Sequence, residues 1–136
     1  MAKTFTAPFA QTPKTSAVVI TGADDLTTAP ANTVLLETAG ADGAILTKLT
    51  AMPQATVTAS SLHLFISQDS GTTKSLIDSV LMDAHTIAAT TAVTITTFTL
   101  VTESTPIRLE AGDELYVGSG VALAGGIIFA SEMTDY

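Results

Sequence analysis

The chain is expected to fold as an all-β protein, a single antiparallel β-sandwich of jelly-roll-like form with an extended N-terminal arm. Three observations predict this. Threonine supplies 25 and alanine 21 of the 136 residues, and only 13% are charged. Threonine is β-branched, suits a pleated surface and carries a hydroxyl that tolerates water. Short apolar runs alternate with turn-forming residues at spacings of roughly 8–12 residues, the pattern of sandwiches and barrels. No stretch of about 12 residues carries a convincing amphipathic helical stripe.

One domain is expected from the length, preceded by an arm: residues 1–16 are the arm and residues 17–136 the sandwich. The arm holds Pro8 and Pro13, which forbid a regular helix or a central strand. It also holds Phe5 and Phe9, two of the five phenylalanines, and Lys3 and Lys14, two of the five basic residues. Such aromatic side chains dock on something, either their own domain or a neighbouring subunit.

The strands are expected in order. Ala17 to Thr21 is closed by Gly22-Ala23-Asp24-Asp25, and Thr33 to Thr38 by the turn at Asp42-Gly43, where glycine accepts positive φ. Ala44 to Met52 stops at Pro53, with Ile45, Thr47, Leu49 and Ala51 on one face and Leu46, Lys48 and Thr50 on the other. In residues 56–67, Leu62, Leu64 and Ile66 point one way, His63 and Phe65 the other. Leu76 to Met82 fits a helical stripe as well as a strand; the strand is preferred because the segment follows a hairpin signal and lacks helix caps. Thr94 to Val101 is the purest β run, Ala84 to Ala92 a loop, and Glu114 to Gly118 and Gly126 to Ala130 complete the set.

Composition narrows the function. Without cysteine there are no disulfides, no thiolate chemistry and no cysteine-ligated metal. The net charge is −8 with five scattered basic residues, the opposite of the basic stripe that nucleic acid requires. No run of about 18 apolar residues marks a membrane span, and no signal-peptide core follows Lys3. A mean hydropathy of +0.45 is high for a soluble monomer, so part of the apolar surface is expected to be covered by a partner or by further copies.

The motifs are structural. Ser67 to Lys74 resembles an Asp-box hairpin, with Ser67, Asp69, Gly71 and Thr73 matching and Lys74 replacing the usual aromatic residue. A single copy reads as a turn device and not as a sugar-cleaving site. Ala111-Gly112-Asp113 precedes an alternating strand that sends Leu115 and Val117 inward, much as in the penultimate hairpin of jelly-roll proteins. Gly118-Ser119-Gly120 and Gly125-Gly126 lack the lysine and helix of a phosphate loop and read as a hairpin connection. His63 and His85 lack metal-ligand spacing, and the carboxylate pairs Asp24-Asp25 and Asp113-Glu114 sit at turns, where the expected solvation does not suit them to acid–base work. Gly118-Ser119-Gly120 also lacks the spacing of a nucleophile elbow. No catalytic residue, metal ligand or cofactor is expected.

Four stretches together resemble a family of small head proteins of tailed bacteriophages and prophages: residues 1–15, 35–44, 67–79 and 108–118. That resemblance spans most of the chain and implies a capsid decoration, or cement, protein with a β-sandwich fold. It implies a homotrimer on the exterior of the virion, bound to the major capsid protein and made in the cytoplasm of a bacterial host. Lys3, Phe5, Pro8, Phe9 and Lys14 are then the expected contacts to the shell or a neighbouring subunit. Asp42, Gly43, Asp69, Gly71, Gly112 and Asp113 are the expected structural turns. The rival reading is a receptor- or carbohydrate-binding head or fibre module of a phage. It is disfavoured because the chain has no tryptophan and only Tyr116 and Tyr136 to stack on a sugar.

Overall fold

Nine strands make two antiparallel sheets in a computed structural model of the chain, which describes residues 10–136. They are β1 (Thr12–Ile20), β2 (Val34–Thr38), β3 (Ala44–Pro53), β4 (Ser60–Ser67), β5 (Ser75–Met82), β6 (Thr96–Thr97), β7 (Ile107–Leu109), β8 (Glu114–Ser119) and β9 (Ile127–Asp135). One sheet runs β1-β9-β3-β6, with β7 also paired to β3; the other runs β2-β8-β4-β5. No helix occurs among the described residues. The expected all-β sandwich is what the chain forms.

Alternation fills the space between the sheets. Leu46, Leu49, Phe129 and Met133 from the first sheet meet Leu62, Leu64, Leu115 and Val117 from the second, all buried. Leu115 and Val117 point inward as the period-two pattern requires. Phe98 closes one side of this layer, its ring tilted against Phe129 at a centroid distance of 6.3 Å. Each such fully buried side chain stabilises the fold by roughly 1.5–3 kcal/mol.

Several expectations are corrected by tertiary context. The first strand begins at Thr12 and takes in residues expected in the arm; Pro13 is tolerated because β1 is an edge strand that pairs only with β9. In β3 the register shifts between Leu46 and Lys48, so Thr47 is a bulge. Ala44 and Leu46 are therefore buried before it and Leu49, Ala51 and Pro53 after it, where unbroken alternation would separate them.

The run Thr94 to Val101 yields only the two-residue β6. Phe98 and Val101 are both buried, three residues apart, and Val101 N–H donates to Phe98 O at 3.1 Å. A turn achieves that spacing and an extended strand does not. Threonine hydroxyls reinforce the turn locally: Thr105 Oγ1 donates to Leu100 O at 3.0 Å and Thr105 N–H to Thr102 Oγ1 at 3.1 Å.

Two connections read as hairpins cross between sheets instead. The Gly112-Asp113 turn carries β7 of one sheet to β8 of the other, and residues 120–126 carry β8 back to β9. Apart from β4–β5 and β6–β7, every connection changes sheet. β9 continues to Asp135, five residues beyond the strand expected from the apolar run, because it is paired on both sides by β1 and β3.

Candidate functional site

Of the expected contact residues, Lys3, Phe5, Pro8 and Phe9 lie outside the described residues. Lys14 is described, on β1, half-buried and engaged by its own fold. Its Nζ lies 2.9 Å from Asp135 Oδ2 and donates to Thr38 O at 2.7 Å. It thus ties the edge strand of one sheet to the end of β2 in the other. Asp135 also accepts the Gly40 N–H at 3.1 Å, so the carboxylate is a junction of three segments.

The expected turns adopt their device geometry. In the β4–β5 hairpin, Ser67 Oγ donates to Asp69 Oδ1 at 2.9 Å, and the same carboxylate oxygen accepts Thr73 N–H at 2.8 Å. The hydrogen bond from the Thr73 backbone, chiefly, holds the Asp69 carboxyl below its usual range. Gly71, at φ +89°, packs so closely on Tyr116 that a β-carbon there would lie 2.5 Å from the phenol oxygen. Lys74, in the place of the box's usual aromatic, sets its Nζ 4.6 Å from the centre of the Tyr116 ring. Asp113 Oδ2 accepts the Glu110 N–H at 2.9 Å across the turn at Gly112. Gly43, beside Asp42, has φ +89° and lies against Leu109 O, where a β-carbon would approach to 2.6 Å.

The outer face of the second sheet holds a polar cluster that spacing in the sequence did not reveal. His63 and Phe65 turn away from the core as expected, yet His63 is buried. The segment between β1 and β2 folds over them. Asp24 N–H donates to Ser119 O at 2.8 Å, Asp24 Oδ1 accepts Asn32 N–H at 2.6 Å, and Lys74 N–H reaches Thr28 O at 2.9 Å. Gly118, opposite His63 in the sheet, makes room: a β-carbon there would meet Asp24 Oδ2 at 3.0 Å.

Ser61 Oγ lies 3.0 Å from His63 Nε2, while His63 Nδ1, Asp24 Oδ2 and Thr33 Oγ1 are buried without hydrogen-bond partners among the described residues. Burial pushes the His63 pKa down, and the Asp24 charge only partly opposes it. Serine, histidine and aspartate are thus neighbours, but the Asp–His hydrogen bond that orients a catalytic imidazole is not made. The buried imidazole, with its Nε2 3.0 Å from the Ser61 hydroxyl, packs as an element of the sheet.

A different region has the character of a binding surface. Nine large hydrophobic side chains are exposed among the described residues, and six of them fall between Leu76 and Leu100: Leu76, Ile77, Leu81, Ile87, Ile95 and Leu100. Leu81 is 62% and Leu100 72% exposed. This segment, β5 through the turn after β6, contains Asp78 and Asp83 and no lysine or arginine. Exposed apolar side chains gathered in one stretch of chain are a feature that marks interaction surfaces in other proteins. The signal for it in the sequence was the high mean hydropathy, which gave no location. No family model, curated protein or solved structure matches the chain.

Proposed function

We propose that this chain is a non-enzymatic structural protein of a tailed-phage virion. It seats on the outer surface of the icosahedral shell as a homotrimer and ties neighbouring major capsid subunits together. The observation that carries this reading is the apolar surface along β5 and the segment to Leu100, on a rigid sandwich whose polar groups serve turns and loop anchoring. The sequence resemblance directs that surface to a capsid. In support of a jelly-roll form, consecutive strands pass between the five-stranded and the four-stranded sheet except at the β4–β5 hairpin and between β6 and β7, which both lie along β3.

Many copies on a lattice need only weak contacts each, because attachment at one point raises the effective concentration at the next. In this reading Lys3, Phe5, Pro8 and Phe9 contribute the extended contacts and the sandwich acts as the rigid body of the clamp. Virions assembled with the intact chain are expected to show added density at three-fold and quasi-three-fold positions of the shell. Virions carrying a chain that lacks residues 2–9, a deletion ending before β1, are expected to lose that density. Full occupancy by the shortened chain would overturn the role of the arm, and no density from the intact chain would overturn the capsid reading.

A further inference from the structure

We propose that Asp24, Thr33 and His63 hold one buried water molecule, which fastens the segment between β1 and β2 to the outer face of the second sheet. Asp24 Oδ2, Thr33 Oγ1 and His63 Nδ1 are each shut off from solvent, with no hydrogen-bond partner among the described residues. They gather around Gly118. A β-carbon there would lie 3.0 Å from Asp24 Oδ2 and 3.3 Å from the Thr33 methyl, and His63 is the residue opposite Gly118 in the sheet. Residues directly opposite in an antiparallel pair share one face, so all three groups lie on the same side. Buried polar groups are nearly always satisfied, by protein or by an ordered water.

The donors and acceptors match those of water. His63 is 2% exposed, and its Nε2 lies 3.0 Å from Ser61 Oγ. Burial disfavours the imidazolium, so the ring carries a single proton. The nearby Asp24 carboxylate favours a donor over a lone pair on Nδ1, which puts the proton there and leaves Nε2 to accept from the Ser61 hydroxyl. Nδ1 and Thr33 Oγ1 are then donors beside an acceptor that lacks one, yet no direct hydrogen bond joins them to Asp24 Oδ2. A water between them takes the Nδ1 proton, gives one of its own to Asp24 Oδ2 and meets Thr33 Oγ1, the kind of polar surroundings that hold water inside a protein. A metal ion fits less well. One imidazole and one carboxylate are fewer strong ligands than zinc takes, and hard cations want more oxygens than are gathered here.

The segment is one that depends on polar anchors. From Thr21 to Asn32 only Pro30 is buried, so hydrophobic burial contributes little to holding it down. Backbone bonds tie it at Thr21, Asp24 and Thr28, to Leu123, Ser119 and Lys74. Asn32 closes the segment on itself, its N–H donating to Asp24 Oδ1 at 2.6 Å and its Nδ2 to Ala23 O at 2.8 Å. Asp24 is thus the hub: one carboxylate oxygen holds the segment's own end, and the water joins the other to His63 on β4.

A crystal structure of the unaltered chain, at a resolution that shows ordered solvent, is the direct test. The expected result is one solvent peak within hydrogen-bond distance of Asp24 Oδ2, Thr33 Oγ1 and His63 Nδ1, with no anomalous signal there after soaking in rubidium chloride. Ring nitrogen shifts in NMR are expected to show His63 protonated at Nδ1. Thr33→Val keeps the shape and removes the hydroxyl. It is expected to speed hydrogen exchange of the Asp24 and Asn32 amides about tenfold, roughly the effect of one hydrogen bond, and to leave the Leu64 amide of β4 unchanged. Four results would overturn the proposal. They are no peak at that position, a rubidium signal there, which would mean a bound cation, a His63 ring protonated at Nε2, and unchanged exchange of both segment amides in Thr33→Val.

Discussion

Along one flank of the sandwich β1 lies against β2, and Lys14 ties them together through Asp135 and Thr38 O. Along the other, β5 lies against β6 with Leu81 and Ile95 turned outward and no basic residue from β5 to Leu100. Both flanks are edges of the same two sheets, so both face the problem of unpaired backbone. The first meets it with charge, proline and a short bulged neighbour; the second, among the described residues, has an apolar edge strand with a bulge at Ile77. The difference is one of surface chemistry, polar and tied on one flank and apolar and exposed on the other, and it has meaning only if the interior of the second flank is as well packed as that of the first.

That proviso can be broken first, and with the largest effect. Phe98 sits just after β6, fully buried, its N–H bonded to Leu49 O at 3.0 Å and its ring against Phe129. If the open flank is a rigid interface, Phe98→Ala leaves a cavity that cannot collapse and lowers stability by about 3–5 kcal/mol. Urea unfolding monitored by circular dichroism would show this as a lower midpoint with an unchanged slope. A loss under about 1 kcal/mol would mean that the site collapses at little cost, as a loosely packed flank does, and would remove the contrast.

The closed flank is probed by Lys14→Met, which keeps the apolar stem and removes the charge. Asp135, largely shielded from solvent with a side chain 14% exposed, then loses its cation, and Thr38 O loses a donor. The expected loss is about 1–2 kcal/mol, toward the lower end because the Lys14 side chain is itself 30% exposed. Asp135→Asn paired with Lys14→Met should cost less than the sum of the two single changes, since the interaction is shared. Strict additivity in that cycle would show that the pair does not couple the sheets.

How far such features can be read in advance depends on their range. The strands at 34–38, 60–67, 75–82 and 114–119 follow from alternation and local turn chemistry, and so does the Ser67–Asp69–Thr73 hairpin, whose partners lie within six residues. The bulge at Thr47 is invisible to alternation because it exists to keep β3 in step with β9 while turning Leu49 and Ala51 inward. Thr94 to Val101 has strong strand preference, but burial of Phe98 and Val101 together outweighs it. The Lys14–Asp135 pair and the Asp24–His63 neighbourhood join residues distant in sequence, and only the strand order brings them together. The place of β5 at the end of its sheet among the described residues is likewise a property of the sheet, because an edge strand and an inner strand can share one sequence pattern.

The smallest effect concerns where the cover of the closed flank ends. The segment after β1 crosses the outer face as far as His63 and Lys74, and beyond it, among the described residues, most of β5 is exposed. His63, on β4 beneath that cover, is a group whose proton uptake falls near neutral pH. Its ordinary pKa is 6.5, and burial holds it lower in the folded chain. As pH falls through 6.5 the unfolded imidazole takes a proton that the folded one refuses, so the unfolded state binds more protons and stability declines until the folded pKa is passed. Asp25 and Asp69, both held below their ordinary 3.8, lose their contribution only at much lower pH and leave this window to histidine. Urea midpoints are therefore expected to fall modestly from pH 7.5 toward pH 5, and His63→Gln, which keeps a partner for Ser61, is expected to flatten that fall. An undiminished slope in His63→Gln would place the titration elsewhere and show that the cover over β4 is indifferent to the charge beneath it.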